Sequence, residues 1–162
     1  MKNNTIEYSK LSDLIIIVFD GKSDLSFEDS DIIALARKFN KPILLVVNKT
    51  EGNYSQNVFN ELHKSGLGIP VLVSAAHNQS IDQLKWQIYE SAKDFKIIEK
   101  NEEQFNDFSI AIIGKTNSGK STMFNLIKKK KIAITGSQPN LTRDTIETNV
   151  SLKNFNFKMF CN

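Results

Sequence analysis

Leu14-Ile15-Ile16-Ile17-Val18-Phe19 is an unbroken apolar run, rich in β-branched residues and closed at once by Asp20-Gly21. With no polar side chain in the run, neither face of such a strand tolerates water, so the sheet holding it must be covered on both sides. A mostly parallel sheet flanked by helices satisfies that condition. Downstream, Ser26 and Asp29 suit a capping box, and Ile32, Ile33, Leu35, Ala36 and Phe39 form an apolar stripe before Pro42 stops the helix. Ile43 to Val47 reads as a second buried strand. Ser55 to Ser65 reads as a short helix with Val58, Phe59 and Leu62 inward and Gly66 as terminator. Val71-Leu72-Val73 is the third strand, and Ser80 with Gln83 suits another capping box. The longest helix follows, with Ile81, Leu84, Ile88, Ala92 and Phe95 at helical spacing.

Periodicity fades between Lys96 and Asp107, where Glu99-Lys100-Asn101-Glu102-Glu103 has the composition of a solvated linker. The chain therefore divides into residues 1–95, a linker at 96–107, and residues 108–162. In the last part Ser109 to Ile113 is a fourth strand and Lys120 to Lys130 a helix. Ile146, Thr148, Val150 and Leu152 alternate, Lys153-Asn154 suits a turn, and Phe157, Met159 and Cys161 alternate again, as in an antiparallel hairpin. The expected fold is α/β, with six strands in a parallel-dominated sheet whose ligands gather at the carboxyl ends of the strands. Asp20-Gly21, Asn48-Lys49, Ser74-Ala75 and Gly114-Lys115 each follow a strand directly, which would bring them to one rim.

Gly114-Lys115-Thr116-Asn117-Ser118-Gly119-Lys120-Ser121 fits the pattern GxxxxGK[ST] between a strand and a helix, the setting of a phosphate-cradling P-loop. A polyanion needs converging donors with no side chain in the way. Gly114 and Gly119 permit close backbone approach, the amides around Asn117 to Ser121 form an anion nest, and the helix N-terminus adds its positive dipole end. Lys120 would neutralise the β and γ phosphates, while the Ser121 hydroxyl would ligate Mg²⁺.

Upstream, Asn48-Lys49-Thr50-Glu51 has the chemistry of a guanine reader. An amide fixes the loop and reaches the base, a lysine stem covers the ring, and a carboxylate accepts from two base N–H groups. Ser74-Ala75-Ala76, after the next strand, offers a backbone N–H to the base carbonyl. Thr142, in Leu141-Thr142-Arg143-Asp144, lies in a loop where a threonine would complete the Mg²⁺ shell and sense the γ phosphate. A plain polar loop is the alternative reading there. Lys128 to Lys131 read as a solvated helix end rather than a nucleic-acid contact, and neither His63 nor His77 has a metal-ligand companion at usable spacing.

The net charge of +3 rests on dispersed lysines with only two arginines, Arg37 and Arg143, so nucleic-acid contact is permitted but not demanded. The single cysteine, Cys161, allows no intrachain disulfide and fits a reducing, cytoplasmic setting. The longest apolar run falls far short of the roughly 20 residues that cross a bilayer, and the polar start resembles no signal peptide.

Taken together, Asp13 to Gly21, Lys41 to Lys49, Gly66 to Pro70 and Ser74 to His77 resemble the back half of the first GTPase domain of the Der (EngA) family. Ile112 to Thr122 and Leu141 to Asp144 resemble the front half of that family's second domain. Der proteins carry two GTPase domains in tandem and act in assembly of the large ribosomal subunit. The resemblance thus implies an internal fragment, which would explain why the guanine motif precedes the P-loop. It implies GTP or GDP held by Asn48, Lys49, Glu51, Ser74, Ala75, Gly114 and the run Asn117, Ser118, Gly119, Lys120, Ser121 and Thr122. It also implies Mg²⁺ on Ser121 and Thr142, K⁺ near Asn117, catalysis resting on Lys120 and Thr142, and the large ribosomal subunit or its RNA as partner. Asn162 stands where the family's DxxG motif has Asp, Glu51 where Asp is usual, and Asn140-Leu141 where Gly-Thr is usual, which points to poor hydrolysis. A circularly permuted ribosome-assembly GTPase would also place the guanine motif first, and a nucleotide-free assembly or RNA-contact fragment is the reading from another class. The six strands equal the complement of one GTPase sheet, so closure as a single permuted domain is a further expectation.

Overall fold

The computed structural model describes residues 2–93, 108–128, 146–152 and 155–161. The first part contains α1 (Lys2–Leu11), β1 (Leu14–Asp20), α2 (Phe27–Arg37), β2 (Ile43–Asn48), α3 (Gln56–Lys64), β3 (Val71–Leu72) and α4 (Ile81–Lys93). The second contains β4 (Ser109–Ile113), α5 (Lys120–Lys128), β5 (Ile146–Leu152) and β6 (Phe155–Cys161). All six strands share one sheet in the order β3-β2-β1-β4-β6-β5. Every pairing is parallel except that of β5 with β6. The expected α/β architecture, with its mostly parallel six-stranded sheet, is therefore present.

β1 takes a central place because its two faces are equally apolar. Leu14, Ile16 and Val18 pack with Ile81, Leu84 and Ile88 of α4 and with Met123, Phe124 and Ile127 of α5. Ile15, Ile17 and Phe19 pack on the opposite side with Ala36 of α2 and with Val58 and Leu62 of α3. Each such side chain, fully buried, contributes about 1.5–3 kcal/mol of hydrophobic stabilisation. One face is thus covered by helices from both parts of the chain, and the other by α2 and α3.

The neighbour of β1 on one side is β2, and on the other it is β4, which comes from beyond residue 107. The pairing runs from Leu14 opposite Ile110 to Ile17 opposite Ile113. A clamp sets this register: the Asp13 carboxylate accepts from the Ser109 N–H at 2.8 Å and from its hydroxyl at 3.0 Å. The Asp13 N–H in turn donates to the Ser109 carbonyl at 2.8 Å.

Several local expectations need correction. α1 has no apolar stripe in its sequence, yet it forms, with Ser9 buried, Ser12 buried just beyond its end and the Tyr8 ring 4.8 Å from that of Phe160. The capping box at Ser26 and Asp29 is present in full. The corresponding position before α4 behaves differently: Ser80 sits at φ 57°, outside the extended conformation a capping serine takes. Phe59, expected inward on α3, is only half-buried and lies beside His63. Phe95, the linker at 96–107, Lys129 to Lys131, Thr142, the turn at Lys153-Asn154 and Asn162 lie outside the described residues.

Candidate nucleotide-binding site

Parallel strands deliver their carboxyl ends to one rim, and the register places Asp20 directly opposite Asn48. On the other flank of β1, Gly114 leaves β4 at φ 148°, where a Cβ would lie 2.3 Å from the Val18 carbonyl oxygen. Gly119 adopts φ 95°, and a Cβ there would lie 2.0 Å from Nδ2 of Asn48. Both glycines are therefore demanded by backbone conformation and by close approach of the first part of the chain. Asn117 supplies a left-handed residue between them, at φ 64°. Lys120 opens α5, and its Nζ donates back across the loop to the Lys115 carbonyl at 2.8 Å. Burial pulls the Lys120 pKa below its ordinary value and pushes that of the nearby Cys161 thiol up. Ser121 and Thr122 occupy the first turn of α5.

The loop after β2 is tied to this P-loop through Asn48, which is 2% exposed. Its Nδ2 donates to the Ser118 carbonyl at 2.8 Å, and its Oδ1 accepts from the Ala75 N–H at 2.9 Å. One amide thus joins three loops. Lys49 turns at φ 65° and its Nζ donates to Oδ2 of Asp20 at 2.5 Å. Thr50 closes the loop on β3, since its hydroxyl donates to the Val73 carbonyl at 2.9 Å. Glu51 accepts from the Ser74 hydroxyl at 2.6 Å through Oε2 and from Nζ of Lys22 at 2.9 Å through Oε1. Those two donors, Ser74 foremost, hold the Glu51 carboxyl at a pKa of about 2, against an ordinary 4.5.

Asn48, Ala75 and Ser118 are thereby joined by direct hydrogen bonds, as are Ser74 and Glu51, with Lys49 and Gly119 beside them. Gly114, Asn117, Lys120, Ser121 and Thr122 line the P-loop and the start of its helix. Three further residues belong to the same neighbourhood, although the sequence alone assigned none of them a binding role. Asp20 holds Lys49 and also accepts from the Lys22 N–H at 2.9 Å; Lys22 reaches Glu51. Lys115 links the P-loop to the α2 cap, with Nζ 3.2 Å from the Ser26 hydroxyl and 3.7 Å from the Asp29 carboxylate. Asp20-Gly21 at a strand end was a visible signal, but nothing in the local pattern said which lysines it would organise.

The donor set from Gly114 to Thr122 fits a polyphosphate. It combines an ammonium, hydroxyls and a helix N-terminus, contains no acidic side chain, and leaves the Ser118 hydroxyl buried without a hydrogen-bond partner. A mostly parallel α/β sheet with this loop at its rim defines the chain as a P-loop nucleotide-binding fold. Residues 109–160 match the family described as 50S ribosome-binding GTPase.

The relationship can be made narrower. The chain is 36% identical over 155 residues to GTPase Der of Thermosipho melanesiensis, a match covering 94% of this chain and 35% of that protein. GTPase Der of Thermotoga neapolitana is 34% identical over 93% of this chain and 35% of its own length, and that of Rhodopseudomonas palustris 32% over 99% and 37%. The chain is thus homologous to GTPase Der along nearly its whole length, and it spans about a third of the length of these relatives. No described helix is long and apolar enough to cross a membrane.

Proposed function

We propose that this chain binds GDP or GTP with Mg²⁺ in a single site assembled from both of its parts, and that it hydrolyses GTP poorly. The observation carrying this reading is Asn48, whose amide ties the P-loop carbonyl of Ser118 to the Ala75 N–H. That contact ties the P-loop to the loops after β2 and β3, which supports a nucleotide site shared between them. Lys120 and Ser121 would hold phosphate and metal, and Asn48, Lys49, Glu51, Ser74 and Ala75 would select the base. Bound Mg²⁺ would supply charge neutralisation for the β and γ phosphates. The expectation of poor turnover rests on Asn162, which stands where the DxxG motif of the family this sequence resembles has Asp, since an amide lacks the charge to orient a metal-bound water. The partner we propose is the large ribosomal subunit, in the cytoplasm; the likeness of residues 109–160 to a family described as 50S ribosome-binding GTPase supports the ribosomal part of that reading.

Titration with fluorescent GDP and ADP tests the reading. GDP should bind in clear preference, and Lys120→Ala should weaken it about 10- to 100-fold, the worth of hydrogen bonds to a charged group. Equal binding of the two nucleotides, or indifference to Lys120→Ala, would refute it and favour a nucleotide-free assembly fragment.

A further inference from the structure

The carboxylate assigned to the base already has a protein donor on each oxygen. Oε2 of Glu51 receives the Ser74 hydroxyl at 2.6 Å, and Oε1 receives the Lys22 ammonium at 2.9 Å. Lys22 does not arrive there by accident of a loose side chain. Its N–H is held by Oδ1 of Asp20 at 2.9 Å, the preceding Gly21 N–H donates to the Asn48 carbonyl at 2.7 Å, and the Gly21 carbonyl accepts from Ser55 at 2.7 Å. A Cβ on Gly21 would come within 2.8 Å of that Asn48 carbonyl oxygen, so the two loops lie too close for any other residue at this position. The turn after β1 is thus stitched to the purine-reading loop, and Lys22 is its reaching arm.

Resting on the guanine reading above, we infer that Lys22 is a specificity-determining residue that competes with the purine 2-amino group for Glu51. Guanine presents two adjacent N–H donors, and hypoxanthine presents one. A carboxylate has about four lone-pair sites and the two protein donors use one on each oxygen, so a single base donor leaves both in place, whereas a pair of base donors fills the remaining sites and crowds the more weakly held protein donor. Of the two protein donors Lys22 is the one to yield, because its side chain is about half exposed and its ion pair with Glu51 is open to solvent and salt. The gain from the 2-amino group is therefore partly offset by release of Lys22, and the chain discriminates guanine from hypoxanthine less than its carboxylate alone would allow.

The measurement is the ratio of GDP to IDP affinity in the wild-type chain, Lys22→Met and Lys22→Arg, each at low and high salt. Ratios cancel any general loss of phosphate attraction. Lys22→Met should raise the GDP:IDP ratio about twofold to fivefold, the worth of an exposed ion pair. Lys22→Arg should keep the low ratio, and added salt should raise the ratio in wild type but not in Lys22→Met. A ratio that stays the same or falls in Lys22→Met overturns the inference while leaving a GDP preference over ADP intact. Equal wild-type binding of GDP and ADP overturns both this and the guanine reading.

Discussion

Glu51 carries its charge far below the pH at which a free glutamate is protonated, because the Ser74 hydroxyl and then the Lys22 ammonium favour the ionised form. The linkage has a definite sign. Unfolding restores a pKa of 4.5, so the stabilisation from this carboxylate is complete above 4.5 and is lost as pH falls toward about 2. A carboxyl-carbon NMR titration should place the Glu51 midpoint near 2, and Ser74→Ala should move it back toward 4.5. A wild-type midpoint at the ordinary value would sink this account. Residue chemistry at the site was legible where a motif names it: Gly114, Gly119, Lys120 and Asn48 were identified from spacing alone. Their partners were less so. The pattern explains Gly119 by phosphate approach, whereas the structure adds Asn48, whose Nδ2 would lie 2.0 Å from a Cβ at that position.

Helix α2 shows how an element can bear on a loop distant in sequence. The Asp29 carboxylate accepts from the Ser26 N–H at 2.9 Å and hydroxyl at 2.6 Å, and the same pair faces Lys115 of the P-loop. Ser26→Ala removes the cap and should cost about 1 kcal/mol, lowering the thermal midpoint by roughly 2–4 °C for a chain of this size. In Ser26→Ala combined with Lys115→Ala the losses should fall short of additivity, since the two residues share a contact. Thermal unfolding of the three variants checks both points, and an unchanged midpoint in Ser26→Ala would show that the box does not hold α2. This capping box was readable because it is closed within four residues. Ser80 was misread since Ser74 and Gln79 exchange backbone hydrogen bonds at 3.0 and 3.1 Å, a turn that hands the chain to Ser80 in a left-handed conformation. α1 was missed because its packing rests on Tyr8 and buried serines rather than on an apolar stripe.

At the scale of the molecule, β4 covers a flank of β1 that would otherwise be a bare edge, and such edges recruit other chains. The two parts should consequently unfold together, in one transition independent of protein concentration. GDP at a hundredfold excess over its Kd should stabilise the chain by about 2.7 kcal/mol. That corresponds to a rise of roughly 5–11 °C in the midpoint. Two transitions, or a midpoint that shifts with protein concentration, would mean that the parts fold apart. The sequence by itself determined the kinds of element after α1, the P-loop pattern and the strand-end position of each motif, because apolar period, caps and strand-closing residues act over a few neighbours. Only the tertiary structure decided that Ile110 lies beside Leu14, that Asn48 meets Ser118 and that Lys22 reaches Glu51. Those pairings join residues far apart along the chain, and they are fixed by sheet register and by which edge strand finds cover, neither of which a local pattern encodes.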